Sequence, residues 1–282
     1  MTWTRRNLLV AASLLLFARG ARAAEPARPP PADETSRKAA AVFGALERQE
    51  SERLGRTLDG LLADPFFIDP FKARDREKLL ARAKPRFEQK LASQGITHWY
   101  FIDPEPARTC FLRVHSPTLF GDVVERDTLA RAIVSHDVAQ GKELGKTAFA
   151  LRVVKPIKAG GQVIGYMELA EEMGGFLGKM KVKTGCDFAL LVDKRRLDRQ
   201  ELARVQKEDR WEERPATVLI DSTVWNERLL ELPVPFDQLP DEGVSTGQWT
   251  EGTRKFMGAA FPVRDASMAI VGALIVRRTL AR

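Results

Sequence analysis

Residues 111–122 read FLRVHSPTLFGD and set an arginine, a histidine and an acid, groups able to grip a small charged molecule, within twelve residues. Apolar and polar residues alternate from Phe111 to His115, which predicts a strand with Arg113 and His115 on one face and Leu112 and Val114 on the other. The Arg113 guanidinium is a rigid fork of donors that fits a carboxylate or phosphate. His115 can donate or accept, and Asp122, after the turn-forming Gly121, can take a ligand amine or pair with Arg113. The segment ITHWYFID (96–103) predicts the partner strand, joined through Pro104-Glu105-Pro106-Ala107. With Asp103 and Thr109 flanking that turn, His98, Tyr100 and Ile102 share a face with Phe111, Arg113 and His115, and His98 lies nearly opposite Arg113. Tyr100 and Phe111 then supply apolar walls, Trp99 points away, and Arg152 reaches the same face from a later strand. The set suits an anionic or zwitterionic ligand. The competing reading is a structural Arg113–Asp122 ion pair, with His115 capping a backbone group.

Other chemistries find little support. G-x-S-x-G, Walker, G-x-G-x-x-G and H-E-x-x-H motifs are absent, and GQVIG (161–165) belongs to a hairpin. A Cys110–His115 dyad fails on a regular strand, because residues five apart face opposite sides. The three histidines, His98, His115 and His136, lack the i, i+4 pairing of a helical metal site, so neither metal nor cofactor is expected. Cys110 and Cys186 fall in different predicted strands of different units and are expected to stay unpaired. The expectation is therefore a non-enzyme.

Period changes along the chain predict the elements that position these groups. AEPARPPPADE (24–34) is a Pro-rich, extended linker. Val42, Phe43, Leu46, Leu54, Leu58, Leu61 and Leu62 form one apolar stripe on a long helix over 36–62, ended by Asp64-Pro65. A second helix covers 75–93, with Gly95 as its stop. After the hairpin 96–115 come a helix over 126–141, strands over 147–157 and 162–170, and a Gly-weakened helix over 171–185. The plan then repeats. CDFALLVD (186–193) echoes ITHWYFID, and 256–278 echoes 151–172, each pairing a strand that reaches a proline (Pro156, Pro262) with one carrying a glycine (Gly165, Gly272). Two echoes in one order predict tandem α+β units, each an antiparallel sheet with helices on one face. The expected divisions are a leader (1–23), the linker (24–35), N-terminal helices (36–95), a first, ligand-binding unit (96–185) and a second unit (186–282).

Residues 1–23 have a basic start, an apolar run from Leu8 to Ala18, and Ala-Arg-Ala before Ala24, the layout of a secretory leader. TRRNLL (4–9) resembles the twin-arginine export signal. The leader holds four arginines and no acid, so its removal takes the formal net charge from +7 to +3 and weakens any case for nucleic-acid binding. A periplasmic protein, soluble after cleavage, is expected.

A long helix followed by two PAS-like units resembles the double Cache family of extracytoplasmic sensor domains. FLRVHSPTLFGD is similar to that family's LR-[LV]-H-x-P-x-x-FGD, and 141–169 resembles its G-x-E-x-G…R-x-x-x-P-V…G-x-x-x-G-x-[VM]-E-[FL] segment. The resemblance runs from about residue 38 to 278 and is stronger in the first unit. It implies a ligand on the concave face of the first sheet, under a lid of helices and loops, and signalling through a membrane-bound partner. Two loops depart: FGD continues Val123-Val124 where the family often has a further acid, and Gly145-Lys146-Thr147-Ala148 replaces Gly-Arg-Ala-Gly. The chain ends at IVRRTLAR, which implies a freestanding, exported form, with a homodimer through the first helix as one assembly. Two other classes stay open: a cofactor-carrying periplasmic redox protein or enzyme exported folded, and an adaptor whose own side chains fill the pocket.

Overall fold

The computed structural model describes residues 29–145, 149–205, 210–224 and 230–280; the leader, most of the linker's start and Lys146-Thr147-Ala148 lie outside them. The spine is α1 (Glu34–Leu62). The Asp33 carboxylate caps it, accepting from the Thr35 and Ser36 amides at 3.1 and 3.2 Å. Its buried stripe, including Ala39, Phe43, Leu46, Leu54, Leu58 and Leu61, recurs at helical spacing. Two further helices follow, α2 (Pro65–Lys72) and α3 (Arg76–Arg86). The latter runs on through one π turn and one 3₁₀ turn to Gly95, whose φ of 84° ends it in the left-handed region.

The first sheet contains β1 (His98–Ile102), β2 (Cys110–Arg113), β3 (Ala139–Leu144), β4 (Phe149–Ala159) and β5 (Gln162–Glu172), in the order β2-β1-β5-β4-β3. Between β2 and β3 lies α4 (Asp127–Ser135), and α5 (Gly174–Thr184) leads out of the sheet. The second sheet contains β6 (Asp187–Asp193), β7 (Thr217–Ser222), β8 (Val244–Glu251), β9 (Arg254–Arg264) and β10 (Ile270–Thr279), in the order β7-β6-β10-β9-β8. A short α6 (Arg199–Val205) follows β6. The two orders are the same pattern, all antiparallel, so the fold is α+β: a long helix and two PAS-like sheets.

α1 packs on β4 and β5 of the first sheet and on β9 and β10 of the second. The sheet faces it covers form one core: Trp99, Phe101, Leu112, Val114, Val153 and Leu169 from the first, and Phe188, Leu190, Val218, Phe261 and Val276 from the second. Leu112 and Val114 therefore pack beneath the helices, as the alternation predicts. The echoed glycines have a steric cause. A Cβ on Gly165 would sit 2.6 Å from the Ile102 carbonyl oxygen, and one on Gly272 would sit 2.1 Å from that of Leu191.

Three expectations are corrected. The echoing strands ITHWYFID and CDFALLVD are out of phase by one residue, since Trp99 and Phe101 face α1 in the first whereas Phe188, Leu190 and Val192 do so in the second. The helix expected to reach Gly141 stops at Ser135. His136 turns the chain at φ 52°, and residues 139–144 become the edge strand β3. Gly141 is there because a Cβ would come 2.8 Å from the Ala266 Cβ, where the Ala266 amide donates to the Lys142 carbonyl. The strand β8 has no counterpart among the expected elements.

Candidate functional site

The site is the face of the first sheet turned away from α1. Antiparallel pairing lines its residues up in rows. One row runs Arg113, Tyr100, Glu168, Val154, Ala139; the next runs His98, Ala170, Arg152, Gly141. Arg113 lies opposite Tyr100 and not opposite His98, because the pairing slips one residue at a bulge between Phe101 and Ile102.

The bulge also separates the candidates. Phe111 is on the other side, edge-on to Phe71 at 5.3 Å with the Arg74 guanidinium 4.2 Å above its ring, so it cannot wall this site. Cys110 takes the site face, packed with Tyr100, Ile102, Val124 and Tyr166. The regular alternation that kept it from the side of His115 does not hold. Both cysteines are free and buried, and burial pushes the Cys110 thiol up to about 11, so it is a poor nucleophile.

The remaining candidates converge. The rings of His98 and His115 are 4.6 Å apart, and those of Tyr100 and His115 4.9 Å. His115 Nδ1 accepts the Trp99 amide at 3.2 Å, and His98 Nδ1 bonds the Thr97 hydroxyl at 2.8 Å. Burial lowers the pKa of both, that of His115 to about 4, and the neighbouring arginines push the same way. They are thus neutral hydrogen-bonding groups at physiological pH.

Beneath them is a buried ionic network that the sequence reading missed apart from Arg152. Arg152 Nη1 donates to Glu168 Oε1 at 2.7 Å, and Arg126 Nη1 donates to both Glu168 oxygens at 2.5 and 2.6 Å. The Glu168 and Arg152 side chains are 0% and 3% exposed. The arginines hold the Glu168 carboxyl below the usual carboxylate range against the opposing pull of burial. Glu143 takes both donors of Thr128, the amide and the hydroxyl, at 2.8 Å, which ties α4 to β3; its carboxyl is raised, burial being the main cause. Glu168 could have been found: Tyr166, Glu168 and Ala170 alternate on one face, so its charge had to point into the site. Arg126 stands just before α4 in a connection whose path the sequence does not define.

Arg113 is different. Nη1 and Nη2 grip Asp122 Oδ1 and Oδ2 at 2.7 and 2.5 Å, and Nη1 also donates to the Leu119 carbonyl at 2.8 Å. This guanidinium lies 5.3 Å from the Tyr100 ring centre, and that of Arg126 lies 4.6 Å from it. The Asp122 side chain is 55% exposed. Magnitude separates the two sets of pairs. Removing one partner of a buried pair costs about 3–5 kcal/mol, and the Arg113–Asp122 pair, with Arg113 13% exposed, falls between that and the about 0.2–1 kcal/mol of a fully exposed pair. The contrast lies in the carboxylates: Asp122 can turn into solvent and leave Arg113, whereas Glu168 is enclosed between Arg126 and Arg152. Arg152 is thus a support under the site and not its exposed surface.

α4 covers the site, with Leu129 and Ala132 against Val154 and Ala139. Outside α4, between Val134, Val138 and Ala266, is an open cleft of about 750 Å³. Among the described residues no group of three or more His, Cys, Asp or Glu is placed to hold a metal. No helix there is long and apolar enough to cross a membrane.

A helix spanning two PAS-like sheets of identical strand order is the double Cache architecture. Residues 34–213 match the model of the dCache_3 family, the double sensory domain of two-component sensor kinases, and the chain belongs to that family. No curated protein matches it in sequence. The fold is shared with the periplasmic domain of Vibrio cholerae LuxQ, at a TM-score of 0.50 and 12% identity, covering 86% of this chain and 99% of that one. Also similar are the domain of a putative sensory box/GGDEF family protein from Vibrio parahaemolyticus (TM-score 0.49, 13% identity, 88% and 95% covered) and the ligand-binding domain of the Campylobacter jejuni chemoreceptor Tlp3 in complex with L-valine (0.42, 14%, 87% and 90%).

Proposed function

We propose that the chain is an exported sensory protein whose first unit, residues 96–185, binds a small polar metabolite, anionic or zwitterionic, and signals through a membrane-bound partner. Membership of a sensory family supports the general role. The observation that carries the specific one is the contrast between the two units. The row of the second sheet that corresponds to Tyr100, Glu168, Val154 and Ala139 is apolar, running Ala189, Ile275, Ala260, Val244 and packed under Phe236 and Leu239. The charges of that face among the described residues, Arg277 with Asp187 and Glu251, lie off this row toward one end of the sheet. The first unit instead keeps Arg152, Glu168 and Arg126 in its interior, where desolvation offsets most of what their pairing gains. The second sheet closes over this row without charges, which supports a role for those of the first unit beyond closure. Arg113, His115 and Asp122 are its more accessible members, and Tyr100, His98 and Arg152 are buried.

A thermal-shift screen of the chain against organic acids and amino acids tests this. At least one compound should raise the Tm of the wild type and fail with Arg113→Ala; a hit indifferent to Arg113→Ala counts against the site. A second reading, a purely structural Arg113–Asp122 pair, is favoured by the pair's complete bidentate geometry. It expects no hit at all.

A further inference from the structure

We infer that Asp122 is an internal stand-in for the ligand, and that a carboxylate binds by taking its place on Arg113 and so releases the tip of the 116–121 loop. This rests on the ligand-site reading above and adds its regulation. The loop is anchored at its far end by backbone pairing: the Cys110 amide donates to Asp122 O, and the Gly121 amide to Cys110 O, both at 2.8 Å. Its tip has no such ladder. Leu119 and Phe120 are 53% and 55% exposed, so apolar burial does not hold it down. Two guanidiniums do. Arg113 holds the Leu119 carbonyl and the Asp122 carboxylate. Arg76 donates to the Pro117 carbonyl and lies 3.8 Å from the centre of the Phe120 ring.

Arg113 therefore serves the loop and faces the site at once, and it spends both terminal nitrogens on the loop. The fork is already occupied by a planar carboxylate, so the group that fits it without rearrangement is another carboxylate. The exchange trades one charge-assisted pair for another and leaves Glu168, Arg126 and Arg152 undisturbed. It cannot leave the loop undisturbed, because Asp122 then loses its partner and the Leu119 bond shares the same nitrogen, Nη1. Binding is thereby coupled to loosening of the tip that carries Leu119 and Phe120.

Hydrogen exchange by mass spectrometry over peptides spanning residues 114–121 tests the latch. It uses the wild type and Asp122→Asn, each alone and with sodium acetate, succinate or citrate at constant ionic strength. Without any anion, Asp122→Asn should exchange the tip about two- to fivefold faster than the wild type, with β5 unchanged. A carboxylate that binds the wild type should speed the tip by a similar factor, have no further effect on the tip of Asp122→Asn, and bind that variant about two- to fivefold more tightly by calorimetry. An unchanged tip in Asp122→Asn, slower exchange on binding, or equal affinity in the two proteins overturns the latch. If no carboxylate binds either protein, the ligand-class assignment fails, and the unliganded comparison still decides whether Asp122 holds the loop.

Discussion

Replacing Glu168 by Gln removes one negative charge from between two arginines while keeping the shape of the side chain. Glu168 is fully buried and accepts three charge-assisted bonds, two from Arg126 and one from Arg152. Gln offers one carbonyl oxygen for them and turns an amide against a guanidinium. The loss is that of a buried pair deprived of one partner, about 3–5 kcal/mol, since Arg126 loses its carboxylate while Arg152 keeps Glu143 3.7 Å away. Urea unfolding followed by circular dichroism measures it, as a lower midpoint at unchanged m. A quadruple variant, Arg126→Met, Arg152→Met, Glu168→Leu and Glu143→Gln, copies the apolar row of the second sheet without leaving Glu143 unpaired, and should return to within about 1 kcal/mol of the wild type. A Glu168→Gln cost below about 1 kcal/mol would refute the buried network. A quadruple variant as unstable as the single one would refute the claim that this row can close without its charges.

Three other outcomes follow from the geometry. His115 has a folded pKa of about 4 against an ordinary 6.5, so its contribution to stability is complete above pH 6.5 and is lost as the pH falls toward 4; His98 acts in the same direction. The urea midpoint of the wild type should therefore fall more steeply from pH 7 to 4.5 than that of His115→Gln, and parallel curves would contradict this. Gly165→Ala and Gly272→Ala each force a methyl against a neighbouring carbonyl and should each cost about 1–3 kcal/mol by the same unfolding assay; a neutral result at either position would show that the strands part freely. Cys110 and Cys186 are buried with raised pKa values, so Ellman's reagent should modify them at the rate of unfolding, and rapid labelling of the native protein would be inconsistent with this packing.

The long helix and the central strands of both sheets were legible because their signals are local. The α1 stripe, the Pro and Gly echoes, and the alternation in FLRVH depend only on period. What failed depended on pairing. A single bulge between Phe101 and Ile102 moved Phe111 out of the site, brought Cys110 in, and set Arg113 against Tyr100 in place of His98. β3 was hidden because Ala139, Gly141 and Glu143 combine a methyl, no side chain and a charge, a face that reads as inward only once Thr128 and Ala266 are seen against it. Glu168 was readable from its strand, but its partners lie 16 and 42 residues away, and no sequence period links them.

The most direct test of the ligand site is a crystal structure of the chain with its strongest thermal-shift hit. The account expects the ligand's anionic group on Arg113 beside Tyr100 and His115, Asp122 turned away, and the Glu168–Arg126–Arg152 network intact. A ligand seated elsewhere, as in the cleft outside α4, with the Arg113–Asp122 pair unbroken, would contradict it.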